Sequence, residues 1–108
     1  MKCLKLGVPK VEEMENKEFA KQLEDRTKKF AISIIKLSAL LPGSPEGKVV
    51  RNQFTKAGTS VGAKYREANR ARSKADFSNK IRICESESSE SIYWLEIIEE
   101  LNWLTPEK

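Results

Sequence analysis

Lys56–Ala68, KAGTSVGAKYREA, places two glycines one helical turn apart in a stretch that otherwise reads as helix. A glycine in a helix interior costs roughly 1 kcal/mol relative to Ala. Either the helix breaks here or the space is needed. The apolar period decides. Val50, Phe54, Ala57, Val61, Tyr65 and Ala68 recur every three or four residues straight through Gly58 and Gly62, the signature of one unbroken amphipathic helix. The two glycines, with Ser60 and Ala63 beside them, form a small-residue strip on which a neighbouring backbone can approach closely. A second row on this helix, Arg51, Thr55, Thr59, Gly62, Arg66 and Arg70, is polar and basic.

Working outward, LPGSPEG precedes this helix, with Ser44 as N-cap and Pro45 at the first helical position. Upstream, Phe19, Leu23, Phe30, Ile34, Leu37 and Leu41 give a helix over 17–41, capped by Asn16. Residues 1–15, with Gly7 and Pro9 as breakers, are expected to form a flexible N-terminal segment, leaving 16–108 as the helical domain. Downstream, the second helix is expected to span 45–72. Ser73 followed three residues later by Asp76 opens a third helix over 74–104. It carries Phe77, Ile81, Cys84, Ser88, Ile92, Leu95 and Ile98, and its last half is apolar on more than one side. Such a surface needs more than one neighbour. Thr105-Pro106-Glu107 reads as the start of a fourth helix that is then cut short.

Composition narrows the function. The 108 residues suit one small domain, and 33% are charged. There is no histidine, which removes imidazole chemistry and His-ligated metals. Cys3 and Cys84 have no metal-ligand spacing and form no disulfide framework. No secretory leader or membrane-spanning run is visible, so the protein is expected to be cytoplasmic. Glu85, Glu87, Glu90 and Glu96 are the densest carboxylates, and they read as solvated charges or a cap on the basic helix. Ser60 and Lys64 stand four apart but lack the rest of a catalytic arrangement. Gly58–Lys64 does not fit a phosphate-binding loop. No catalytic residue, cofactor or metal is expected, and the chain reads as a binding protein.

Charge is unevenly spread. Residues 48–82 are net +8 and residues 83–108 net −6, within a total of +4. Three readings stay open: the two helices neutralise each other, the basic one offers a face to phosphate, or the two signs pair between subunits. The nucleic-acid candidates are Arg51, Lys56, Lys64, Arg66, Arg70, Arg72 and Lys74. Gly58, Gly62, Tyr65, Tyr93, Trp94 and Trp103 are candidates for helix packing or oligomer contacts. Nothing suggests base readout, so binding is expected to follow shape and charge.

AGTSVGAKYREANRARSKADFSNKIRI, followed by ESESSESIYWLEII, resembles the small proteins encoded in intervening sequences of bacterial 23S ribosomal RNA genes. That family is marked by a Gly-Thr-Ser-x-Gly-Ala-Asn-Tyr-Arg-Glu-Ala block, an Asp-Phe helix start and a Tyr-Trp-Leu block. KFAISIIKLSALLP also fits, and the resemblance covers residues 28–104. Here Ala57 replaces the usual Ser, and Lys64 the usual Asn. The resemblance implies an all-α, up-and-down antiparallel four-helix bundle, here with three long helices visible. It also implies a homo-oligomer, as relatives form homopentamers. A similar protein accompanies the reverse transcriptase of diversity-generating retroelements, so RNA or DNA and a reverse transcriptase are implied partners. The family's own biochemical role is not established.

Overall fold

The computed structural model describes residues 8–104. They form three helices, α1 (Val8–Ser38), α2 (Pro45–Ala68) and α3 (Lys74–Glu100), and no strands. The protein is all-α.

The helix starts follow the local chemistry. Ser44 Oγ accepts from the Gly47 backbone N–H at 3.1 Å, with Pro45 in the first turn of α2. Ser73 Oγ accepts from the Asp76 N–H at 3.1 Å. The return half of this cap differs from a simple capping box, because Asp76 Oδ2 accepts from the Arg72 N–H, one residue before the cap.

Four boundaries depart from the sequence reading: the start of α1 and the ends of all three helices, α1 ending at Ser38 rather than 41. α1 begins at Val8 rather than 17, so residues 8–15 are helical, and Asn16 lies inside the helix instead of capping it. Pro9 falls in the first turn, where a missing N–H removes no helix bond. The stretch VEEMENKEF is built of good helix formers. α2 ends at Ala68, capped by Asn69, and α3 ends at Glu100. After α3, Asn102 sits in the left-handed region at φ 57°. The Asn102 N–H donates to Glu99 O and the Trp103 N–H to Ile98 O, which is the Schellman pattern. Residues 1–7, and the helix start read at Thr105-Pro106-Glu107, lie outside the described residues.

α2 runs antiparallel to both neighbours. Gly58 and Gly62 face Ile34 and Thr27 of α1, while Val61 and Glu67 meet Cys84 and Lys80 of α3. α1 and α3 make no close backbone approach among the described residues. The result is an open layer measuring 62 × 27 × 17 Å, with a radius of gyration of 18.1 Å. A closed domain of this length would have about 13 Å.

The core lies towards the α1–α2 loop. Ile34, Leu41, Val50, Phe54 and Ile98 form the buried cluster, and Leu37, Trp94, Leu95, Trp103 and Leu104 pack against it. Buried hydroxyls are satisfied locally. Ser38 Oγ lies 2.8 Å from Ile34 O and 2.7 Å from Thr55 Oγ1, and Ser91 Oγ donates to Glu87 O at 2.8 Å. The Cys84 thiol faces Val61 O at 3.6 Å, and burial pushes its pKa up, so it stays a protonated, unreactive thiol.

The glycine strip works as its sequence suggests. A Cβ on Gly58 would stand 2.6 Å from Ile34 Cγ1, and one on Gly62 would stand 3.0 Å from Thr27 Oγ1. The strip is a seat for α1.

Candidate nucleic-acid interface

The polar and basic row on α2 has a different address from the one a phosphate-binding face would need. Arg51 donates from a guanidinium nitrogen to Pro42 O at 3.0 Å, and its Nε is buried without a hydrogen-bond partner. Thr55 meets Ser38 of α1. The Thr59 hydroxyl donates back to Thr55 O at 2.7 Å. Gly62 lies against Thr27, and Arg66 Nε is 3.8 Å from Glu24 Oε1. The row therefore runs along the α1–α2 seam. Its last two members, Arg66 and Arg70, are exposed, and Arg70 enters no ion pair among the described residues. A groove of about 390 Å³ follows the seam over Gly62 and Ala63. The hydroxyls of Thr27 and Thr59 there already donate to backbone carbonyls.

The other basic candidates divide by their partners. Lys64 pairs with Glu67 at 3.7 Å, within one turn of α2. Lys80 lies between Asp76 and Glu67, at 3.4 and 4.0 Å. These contacts are exposed and contribute little to stability, but they occupy the cations. Lys56, Arg70, Arg72 and Lys74 are exposed and enter no ion pair among the described residues. Arg82, outside the candidate set, behaves the same way. Arg70, Arg72 and Lys74 sit together on the turn joining α2 to α3, one cation every two residues. A hollow of about 310 Å³ opens here, lined by Ala71, Arg72, Lys74 and Phe77, with Phe77 42% exposed.

The acidic half of α3 does not neutralise this turn. Glu85, Glu87, Glu90, Glu96, Glu99 and Glu100 enter no ion pair among the described residues. The antiparallel hairpin is the cause. It sets the basic end of α2 beside the basic start of α3, and spreads the glutamates from about 17 Å along α3 at Glu85 to about 40 Å at Glu100, at a rise of 1.5 Å per residue. The basic turn and the last glutamates of α3 therefore lie at opposite ends of that helix.

The packing candidates also separate. Tyr65 is buried, and Trp94 and Trp103 pack on the core. Trp94 Nε1 donates to Glu90 at 3.2 Å. Tyr93 is 55% exposed, edge-on to Trp94 with ring centroids 5.1 Å apart. Among the described residues, no cluster of carboxylates or cysteines could hold a metal, and no helix is long and apolar enough to cross a membrane.

Residues 21–108 match the family described as 23S rRNA-intervening sequence protein. The chain belongs to that family. A solved structure from Bacteroides thetaiotaomicron, a protein of unknown function from the S23 ribosomal protein family, is 38% identical. The match covers 78% of each chain with a TM-score of 0.71. No curated protein matches. Membership in the 23S rRNA-intervening sequence family thus rests on most of the chain, and it brings no biochemical activity with it.

Proposed function

We propose that this 23S rRNA-intervening sequence protein is a non-enzymatic, cytoplasmic nucleic-acid-binding protein, with the α2–α3 turn as its phosphate-binding surface. One observation carries the reading: the side chains of Arg70, Arg72 and Lys74 are exposed around a single turn and enter no ion pair among the described residues, while Lys64, Arg66 and Lys80 of the same segment are paired. Lys56 and Arg82 extend the positive surface along the two helices. Binding of this kind is driven by release of counterions from phosphates and carries little sequence information.

In the same reading the open side of the layer is closed by a fourth helix, which completes an up-and-down antiparallel bundle. The groove residues Glu24, Lys28 and Ala31 fix one flank of α1. At 100° per residue, Phe30 and Leu37 then fall on the other flank, facing the gap towards α3. The Schellman turn at Asn102 brings Trp103 and Leu104 back onto the core end, ahead of the Thr105-Pro106-Glu107 helix-start sequence. Assembly into a homo-oligomer would multiply the basic turns and raise avidity. The second reading, an accessory subunit for a reverse transcriptase or another partner enzyme, is favoured by the unpaired acidic end of α3.

The test is an Arg70→Glu/Arg72→Glu/Lys74→Glu variant, titrated by anisotropy against a fluorescent single-stranded RNA at low salt. These side chains are exposed, so helix content and melting should be kept. Affinity is expected to fall at least about tenfold, a change of 1.4 kcal/mol in binding free energy. An Arg51→Gln variant is the contrast. It is expected to lose stability at the α1–α2 loop and to bind RNA as the wild type does. Unchanged binding in the triple variant would remove the turn from the account.

A further inference from the structure

We propose that the hollow at the α2–α3 turn takes an unpaired base, stacked on the Phe77 ring, so that the nucleic acid bound there is single-stranded. This rests on the nucleic-acid reading above and names the class of strand that the basic turn would hold.

Phe77 belongs by period to the row of α3 that packs on α2. Cys84, Ser91 and Ile98 follow it at intervals of about two turns, and all three are buried. Phe77 itself is 42% exposed. The reason is what stands beside it. α2 ends at Ala68, so Phe77 shares its hollow with Ala68 and Ala71, whose methyl groups are too small to cover a ring. The hollow, about 310 Å³, falls within the roughly 300–1,000 Å³ of small-molecule sites.

Cations frame the same hollow. Arg72 and Lys74 line it, are exposed, and enter no ion pair among the described residues. Asp76, the carboxylate nearest them in sequence, is engaged on both oxygens. Its Oδ2 accepts from the Arg72 backbone N–H at 3.3 Å, and its Oδ1 lies 3.4 Å from Lys80 Nζ. An aromatic face flanked by cations suits a single strand, whose bases stack while its phosphates meet the charges. Every base has a π face, so the contact carries no sequence readout. A duplex cannot use the ring. Its bases are stacked on one another, and offering one to Phe77 would mean extruding it. The cations, by contrast, serve both forms.

The test is an anisotropy titration of a fluorescent single-stranded RNA, the same strand in a duplex, and a strand with the same phosphates but abasic sugars, each at several salt concentrations. Phe77→Ala is compared with Phe77→Leu, which keeps an apolar side chain but has no π face, and circular dichroism and melting are checked first. Both variants are expected to bind the single strand at least about fivefold more weakly than the wild type. Their duplex affinity should be unchanged, and so should the salt slope, because losing a ring releases no counterion. Phe77→Trp should bind the single strand at least as tightly as the wild type. The wild type should bind the abasic strand at least about fivefold more weakly than the strand with bases. That comparison needs no variant, so it holds even if a substitution unfolds the turn. A Phe77→Leu variant that binds the single strand as the wild type does overturns the stacking, and leaves the hollow to an apolar side chain of a protein partner. Equal losses on single strand and duplex, or equal wild-type affinity for the abasic and base-bearing strands, also overturn it. In each of these outcomes the basic turn stands if Arg70→Glu/Arg72→Glu/Lys74→Glu still abolishes binding. A wild type that binds none of the three probes at low salt overturns both readings together.

Discussion

Phe54→Ala is expected to cost about 3–5 kcal/mol, the range for truncating a buried phenylalanine. Phe54 is 0% exposed and sits in the cluster with Ile34, Leu41, Val50 and Ile98, where all three helices meet. Among the described residues, α2 is the only helix that approaches both others closely, so the cavity would lie at the junction of the layer. The neighbours have little freedom to collapse into it. Ile34 is held against the Gly58 backbone, and Ile98 is itself fully buried. For a domain of this size, the melting midpoint should drop by more than about 12 °C. Phe19→Ala is the control. Phe19 is 61% exposed, and its loss should stay within about 0.5 kcal/mol. Thermal melts followed by circular dichroism decide the matter. Equal losses at the two positions would mean that the core is misplaced.

Gly58→Val is expected to destabilise by about 3 kcal/mol, the upper end for overpacking. The added Cβ would fall 2.6 to 3.0 Å from three atoms of Ile34. These atoms are close to the Ile34 backbone and cannot swing away. Ile34 is itself buried, so relief requires α1 and α2 to move apart, which would also strain the Ser38–Thr55 contact. The better helix propensity of Val offsets only a few tenths of a kcal/mol. The sign should change when the obstacle is removed. In an Ile34→Ala background, Gly58→Val fills the space left behind and should be neutral or stabilising, giving a coupling of about 2–3 kcal/mol in the double-mutant cycle. Additive effects would mean that Gly58 and Ile34 do not face each other.

Much of this architecture is written in local signals. Ser44-Pro45 and Ser73-x-x-Asp76 mark two helix starts because a cap needs only its immediate neighbours. The period of Val50, Phe54, Ala57, Val61, Tyr65 and Ala68 marks a continuous α2 because burial on one face imposes it. The start of α1 was harder to read. Residues 8–15 show no clear apolar period to mark them as helix, and the helix formers there were outweighed by Gly7 and Pro9.

The site was legible only in part. A helical row shows which residues share a side, but not what that side meets. Arg51, Thr55, Thr59, Gly62 and Arg66 share a side, and small polar residues suit a helix seam as well as they suit a phosphate. Their closeness to α1 depends on Ile34 and Thr27, far away in sequence. The same limit applied to charge. Net charges of opposite sign on successive segments allowed mutual neutralisation, and only the antiparallel pairing shows that the hairpin holds the two signs apart. Arg70, Arg72 and Lys74 stand two apart around the turn, whereas Arg82, two residues after Lys80, lies on the body of α3, and the sequence does not show that Lys80 is paired and Arg82 is not.

The most direct test of the account is the salt dependence of wild-type binding to a fluorescent single-stranded RNA. If Arg70, Arg72, Lys74 and Arg82 each neutralise one phosphate, a plot of log affinity against log salt should be linear with a slope of about −3. Absence of binding at low salt, or a slope near zero, would contradict the proposal that the α2–α3 turn is a phosphate-binding surface.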